Sequence, residues 1–321
     1  MNNGWHSIKG ELTSRLDGEI ANQLVSQVPL IGEVARYTIN SGGKRVRPIL
    51  LMMAAASLGC TERRATQLAA AIEFVHTATL LHDDVVDSSS VRRGSPTANE
   101  RFGNAAAVLV GDFLYSRAFQ IMVDVGEAKV FRIMADATND ISEGEVLQLS
   151  NIKNIELTVA SYFEIIHSKT SRLFEAASML GGIIAGCKSD IANNLGQYGA
   201  HLGTAFQIVD DILDYDGVEA NIGKKLGDDL SEGKVTLPMI HALENGSEAD
   251  VAAMTAAIED SGQVDLDSII KIFRRLRSLE YARELAQREI EAAEESIANL
   301  PSSTYKESMI EMAKQSVSRV N

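Results

Sequence analysis

Cysteine, proline and aromatic residues are all scarce in this 321-residue chain, and each shortage closes off a class of protein. Two cysteines, Cys60 and Cys187, are too few for a disulfide framework. Five prolines leave room for long helices joined by short connections. An aromatic share of 5% is low for a sheet protein, and no segment alternates with period 2 for long enough to make a strand. The N-terminal MNNGWHSIKGELTSRL has no apolar stretch of signal-peptide type. The longest apolar run, Ile49 to Cys60, falls short of the ~20 residues that a spanning helix needs. These absences predict a cytoplasmic protein with no transmembrane segment. Positive charge is short as well: 30 Lys and Arg stand against 44 Asp and Glu, a formal net charge of −14. That balance argues against nucleic acid as a partner, since its binding rests on basic residues neutralising phosphates. A phosphate-ester ligand would have to be screened from so acidic a protein, and divalent metal is the usual means.

What the chain has in quantity is helical periodicity. In 64–87, Leu68, Ile72, Val75 and Thr79 recur at i+3 and i+4, with Leu80 on the flank. Segments 104–125, 128–149, 157–187, 190–215 and 235–245 read the same way, and Arg274 to Asn299 reads as an exposed amphipathic helix laced with Glu/Arg pairs. The small-residue run Gly181, Gly182, Ala185, Gly186 predicts a close approach of two helices. No repeat of about 20–50 residues and no flexible linker interrupts the pattern, which predicts one all-α domain over residues 1–321.

One constellation occurs twice: Asp83-Asp84-Val-Val-Asp87 and Asp210-Asp211-Ile-Leu-Asp214. On a helix, positions i, i+1 and i+4 lie at 0°, about 100° and about 40°, which predicts that all three carboxylates share one face. Such a cluster is self-repelling unless a cation joins it. Magnesium commonly bridges one or two carboxylates to substrate phosphates. A single DDxxD is more often a solvated helix face. Two copies, each closing an apolar helical run and each followed by basic residues, point instead to a metal and phosphate site.

Those basic residues are Arg92 and Arg93 in RRGSP after the first cluster, and Lys224, Lys225 and Lys234 in GKKLGDDLSEGK after the second. A third basic loop, GGKRVRP at 42–48, lies upstream. Glycine lets a backbone approach an anion closely, and arginine offers a planar fork that matches phosphate oxygens. His76 sits seven residues, two turns, before Asp83, and Gln207 lies i+3 and i+4 from Asp210 and Asp211. Alone, His76 reads as a core histidine and Gln207 as an ordinary polar helix residue; their register with the aspartates puts both at the site.

At these residues the sequence resembles the trans-isoprenyl diphosphate synthases. The matching blocks are LLHDDVVDSSSVRRGSPT, AFQIVDDILDYDG, GGKRVRP, the Lys169-Thr170 pair and GKKLGDDLSEGKVTLP, running from about 40 to 245 in the family's order. EGEVLQLSN at 143–151 and HSKTSRLFEAAS at 167–178 are most similar to the long-chain, octaprenyl-type members. The resemblance implies a single-domain isoprenoid-synthase helical bundle around a deep central cavity, usually a homodimer. It implies a prenyltransferase that adds isopentenyl diphosphate head-to-tail to a farnesyl or geranyl diphosphate primer by ionisation, condensation and elimination. The product would be a membrane-bound lipid precursor, octaprenyl diphosphate for quinone side chains. Three Mg²⁺ per active site are implied, with Mn²⁺ able to substitute. Asp83, Asp84 and Asp87 would hold two of them, and Asp210, with Asp211 and Asp214 beside it, the third. Arg92, Lys169, Lys224 and Lys234 would bind the allylic diphosphate; Lys44, Arg47, His76 and Arg93 would form the isopentenyl diphosphate pocket; Lys169, Thr170 and Gln207 would line the path of the carbocation. In this family the departing diphosphate is the proton acceptor, so no protein base is assigned. A basic tail closes the site in some members, and here only Arg319 is available.

Chain length follows from residues below the first motif. Ala78 and Thr79, five and four residues before Asp83, are small, where short-chain members carry bulky aromatics. The growing tail would pass to Val75 and Phe74, and Phe119 and Met122 on the next apolar helix are the candidate floor. A farnesyl or geranylgeranyl diphosphate synthase is the alternative. A class I terpene cyclase fits less well, because its second metal site mixes Asn, Ser or Thr with Glu. A non-catalytic regulatory subunit also fits less well, because such subunits usually lack one aspartate cluster.

Overall fold

Helical periodicity becomes helix nearly wherever the sequence shows it. The structure is a computed structural model that describes residues 3–216, 226–259 and 265–318. Its helices are α1 (Asn3–Gln23), α2 (Pro29–Asn40), α3 (Val46–Ser57), α4 (Arg63–Val86), α5 (Ala98–Phe102), α6 (Asn104–Val125), α7 (Ala128–Ser150) and α8 (Val159–Ile166). After a π-helical turn, His167–Ser171, come α9 (Arg172–Ile184), α10 (Ser189–Asp216), α11 (Asp228–Ser231), α12 (Leu237–Asn245), α13 (Glu248–Glu259), α14 (Leu266–Leu276), α15 (Ser278–Ser296) and α16 (Thr304–Val317). Among the described residues the only sheet is a two-residue antiparallel hairpin, β1 (Val91–Arg92) with β2 (Ser95–Pro96). The fold class is all-α, as the composition predicts.

The chain divides into two compact units, each discontinuous in sequence. The first comprises Met1–Asp136, Leu173–Gly199 and Ser296–Met312. Its centre is α4, whose Leu68, Ile72 and Val75 are buried to 1%, 1% and 0% exposure, so the predicted apolar stripe is core. Each such side chain contributes about 1.5–3 kcal/mol by leaving water. Against α4 lies α6, which buries Ala107, Val110, Leu114, Ala118, Ile121, Met122 and Val125. The two helices come close because Gly111 has no side chain: a Cβ there would lie 2.3 Å from His82 Nε2. Among the described residues α6 alone is long and apolar enough to cross a bilayer. The predicted close approach at Gly181 also occurs, since a Cβ there would stand 2.5 Å from the carbonyl oxygen of Leu51 on α3.

The C-terminus of α4 positions the first aspartate cluster. Ser88 adopts a left-handed conformation (φ 52°), and the chain turns back with Ser88 N–H bonded to Val85 O at 3.3 Å and Ser89 N–H to Asp84 O at 3.0 Å. This is a Schellman arrangement with serine where glycine is usual, a strained choice costing about 1 kcal/mol. The hairpin that follows was not expected from the sequence. It is too short to show a period, it pairs Arg92 with Ser95, and from it Arg92 reaches back to Asp84 on α4.

The second unit comprises Ala137–Arg172, Ala200–Glu295 and Ala313–Asn321. Here two expectations are corrected. The run 157–187 is not regular α-helix throughout: Thr158 caps α8 by accepting from Ser161 N–H at 3.1 Å, and the π-helical turn joins α8 to α9 without a break in the helix. The run from Arg274 is broken. Arg277 is left-handed (φ 58°) and ends α14, and α15 buries Leu279, Ala282, Ala286 and Ile290, so it is a core-facing helix and not merely an exposed one.

Candidate active site

In the first unit, the loop before α3 is built from unusual backbone. Gly42 and Gly43 have φ of 97° and 149°, and Arg45 is left-handed at φ 50°. Gly43 is required by contact as well as by conformation: a Cβ would sit 2.8 Å from Nη1 of Arg93, whose guanidinium covers it. Arg93 is itself left-handed, at φ 53°. Arg45 is held by an ion pair to buried Glu73 and by donating to the Ile39 carbonyl at 2.8 Å. Arg47 lies 4.4 Å over the Phe174 ring and meets His76 Nε2 through Nη1 at 3.1 Å. A guanidinium can only donate, so Nε2 is the acceptor and His76 carries its proton on Nδ1. Burial, then Arg47, Arg93, Arg92 and Arg45, hold His76 well below its ordinary pKa of 6.5. A neutral histidine acted on by four arginines, with Lys44 on the exposed loop next to Arg45, is a concentration of positive charge and donors that suits an anion.

The first aspartate cluster does not act as one. Asp84 is 2% exposed and accepts from Arg92 Nε at 2.8 Å. Burial raises its pKa, and Arg92 opposes the rise. Asp83 and Asp87, one turn apart, are half-exposed, with Asp87 N–H bonded to Asp83 O at 2.8 Å. The expectation that three carboxylates share one open face is therefore met by two. The 100° between adjacent residues turns Asp84 into the protein.

The second cluster, in the second unit, divides differently. Asp210 is exposed. Asp211 is 3% exposed, and both its oxygens receive donors: Tyr162 OH at 2.6 Å and Gln207 Nε2 at 2.8 Å. Burial and the nearby Asp229 push its pKa well up, while those two donors oppose them. Asp214 is fully buried and accepts from the Asp229 N–H at 3.1 Å, with its backbone carbonyl accepting from Gly227 N–H at 2.8 Å. Neither Asp211 nor Asp214 is presented as an open ligand. Thr170, on the π-helical turn, donates to Gln207 Oε1 at 2.8 Å, which brings together two residues expected to line the reaction path. Lys169 on the same turn reaches Glu145 at 2.8 Å, and Lys234 reaches Glu232 at 2.5 Å. Lys224 and Arg319 lie outside the described residues.

Among the described residues no three His, Cys, Asp or Glu side chains form a ready cation cage. The donor set nonetheless fits magnesium. Asp83 with Asp87, and Asp210, would each offer one or two hard oxygens, and phosphate oxygens and water would complete such shells. The chain-length candidates all fall in the first unit: Val75, Ala78 and Met122 are fully buried, Phe119 is half-buried near Tyr115, and Thr79 donates to the His76 carbonyl at 2.9 Å.

Sequence reasoning missed Arg45, Glu73, Glu145 and Tyr162. Glu73 had a signal, an acid within an apolar run one turn before His76. Tyr162 had none, because the π-helical turn between it and Thr170 breaks any helical register.

Residues 28–276 match the profile of the polyprenyl synthetase family. The octaprenyl diphosphate synthase of Haemophilus influenzae is 47% identical over 95% of this chain and 93% of its own. A decaprenyl diphosphate synthase structure from Rhodobacter capsulatus superposes with a TM-score of 0.93 at 42% identity, covering 99% of this chain and 98% of that one. A polyprenyl synthase from Caulobacter crescentus, complexed with calcium and isoprenyl diphosphate, gives 0.95 at 38% identity, covering 99% and 98%.

Proposed function

Since the chain belongs to the polyprenyl synthetase family, as a long-chain trans-prenyl diphosphate synthase, we propose that it makes octaprenyl diphosphate from isopentenyl diphosphate and an allylic primer, farnesyl or geranyl diphosphate. The observation that carries the substrate assignment is neutral His76 among Arg45, Arg47, Arg92 and Arg93. A charged imidazole there would be repelled by the guanidiniums, whereas a neutral one can hydrogen-bond a diphosphate that neutralises them.

Lys44, Arg47, His76 and Arg93 bind isopentenyl diphosphate in this reading. Arg92, fixed by Asp84, addresses the allylic diphosphate. Asp83 and Asp87 take divalent cations and Asp210 a further one. The cations are Mg²⁺, three in number, with Mn²⁺ as substitute, and the calcium complex of the Caulobacter relative supports a divalent ion. When bound, they neutralise the charge that builds on the leaving diphosphate. Lys169 and Lys234, each paired with a carboxylate, Glu145 and Glu232, serve the leaving diphosphate in this reading, while Thr170 and Gln207 present oxygen dipoles to the developing cation. Buried apolar side chains around Val75 and Ala78 keep water from quenching it.

The protein is a cytoplasmic homodimer in this reading. Since α6 buries one face against α4, it reads as a core helix and not a span. The test is incubation of the purified chain with labelled isopentenyl diphosphate, farnesyl diphosphate and Mg²⁺, followed by chromatography of the dephosphorylated products. Eight-unit alcohol that disappears with EDTA is expected. Farnesol or geranylgeraniol as main product would refute the length, and cyclic hydrocarbon would refute the reaction. Sedimentation of the same sample checks the dimer.

A further inference from the structure

Tyr162, Asp211, Gln207 and Thr170 form one hydrogen-bonded line that joins α8, the π-helical turn and α10. Tyr162 OH donates to Asp211 Oδ2 at 2.6 Å, Gln207 Nε2 donates to Asp211 Oδ1 at 2.8 Å, and Thr170 Oγ1 donates to Gln207 Oε1 at 2.8 Å. Tyr162 and Asp211 are each 3% exposed, and Gln207 is only partly buried. The direction of the line is fixed while Asp211 is ionised, the state that its donors Tyr162 and Gln207 favour against burial and Asp229. A carboxylate only accepts, so the Gln207 amide must turn its N–H₂ to Asp211 and its oxygen to Thr170. Without that carboxylate the two ends of the amide are nearly isosteric, and either could face Thr170. The turn that carries Thr170 is π-helical, a distortion that recurs at functional sites. The aspartate in this line sits next to Asp210, yet both its oxygens are engaged inside the protein.

Resting on the prenyltransferase reading above, we propose that Tyr162 and Asp211 are positioning residues for the condensation step. They fix the sense of the Gln207 amide and, through it, the Thr170 hydroxyl, so that both keep their oxygens towards the cation that forms on the allylic carbon. Neither touches substrate. A dipole held in one orientation before the charge appears needs no reorganisation when it does, and an amide free to flip would present N–H₂ to a cation half the time.

A buried hydrogen bond that merely ties α8 to α10 would affect folding and not turnover per folded molecule, so the test separates the two. Full-length enzyme is assayed with labelled isopentenyl diphosphate, farnesyl diphosphate and Mg²⁺, with kcat, KM and the thermal midpoint measured on each variant. For Tyr162→Phe, kcat per folded enzyme falls about tenfold to a hundredfold, the range for losing a hydrogen bond to a buried charged group, while KM for isopentenyl diphosphate stays within about twofold. Asp211→Asn leaves an amide that can face Gln207 with either its oxygen or its N–H₂, so the sense of the Gln207 amide is no longer fixed, and Gln207→Glu sets carboxylate against carboxylate; each single variant is slow. In the double variant Asp211→Asn/Gln207→Glu the donors and acceptors match again. The amide at 211 accepts from Tyr162 and donates to the carboxylate at 207, which still accepts from Thr170. Its kcat exceeds that of either single variant, an outcome that packing alone does not give. Wild-type kcat in Tyr162→Phe, or a double variant no faster than the better single one, overturns the proposal. A wild-type chain that forms no prenyl diphosphate removes the prenyltransferase reading and this inference with it.

Discussion

Replacing Asp83 and Asp84 in turn separates two roles that adjacency in sequence conceals. Taken as three equal ligands, each aspartate should tolerate alanine with its fold intact or relieved, because a cluster of like charges is relaxed by neutralising one. The structure reverses that expectation for Asp84. Its carboxylate is 2% exposed and accepts from Arg92 Nε at 2.8 Å, while the arginine side chain keeps 32% of its surface open. Breaking a fully buried ion pair costs about 3–5 kcal/mol, but an arginine one-third open recovers part of its solvation, and about 1.5–3 kcal/mol is the figure to expect. Asp83 is half-exposed, and its replacement by alanine should change stability by less than about 0.5 kcal/mol. Urea unfolding followed by circular dichroism measures both. Turnover should fall by orders of magnitude in Asp83→Ala, through the metal. In Asp84→Ala it should fall through a displaced Arg92, so KM for the allylic substrate rises as well. Equal urea midpoints for the two variants would refute the division of roles.

Three further outcomes follow from the anion pocket and the apolar face of α4. Gly43→Ala would place a Cβ 2.8 Å from Arg93 Nη1 at a φ of 149°, so KM for isopentenyl diphosphate should rise about tenfold; an unchanged KM would remove Arg93 from that pocket. His76 has its folded pKa depressed, so between its folded value and 6.5 the unfolded chain takes a proton that the folded chain refuses, and stability present above pH 6.5 is lost as pH falls. The loss is at most about 1.4 kcal/mol per pH unit, and His76→Gln should lose correspondingly less between pH 7.5 and 5.5 by urea midpoint. Ala78 is fully buried on α4, so Ala78→Phe should shorten the product to about three or four isoprene units with metal dependence unchanged, and Met122→Ala should lengthen it; an unaltered product would show that the tail runs elsewhere.

The residues legible in sequence are those whose role depends on local spacing. Leu68, Ile72 and Val75 are core because i, i+4 and i+7 share a helix face, and the two DDxxD clusters stand out because three acids within five residues are costly without a reason. Spacing stops being informative where the partner comes from another element. Both clusters have the same pattern, yet Asp87 is half-exposed at the end of α4, whereas Asp214 is buried and caps an N–H at the start of α11. The second aspartate behaves alike in both: Asp84 turns inward to Arg92, and Asp211 to Tyr162 and Gln207. The 100° step between neighbours allows that split, since it can carry residue i+1 round to the packed side of the helix while residue i stays on the open side. DDxxD is then better read as one outward acid followed by one inward acid, with the last position free to take either part. On that reading Asp83, Asp87 and Asp210 keep side chains at least partly open to solvent, as a cation ligand needs. Few protein ligands suit magnesium, which draws most of its shell from phosphate and water.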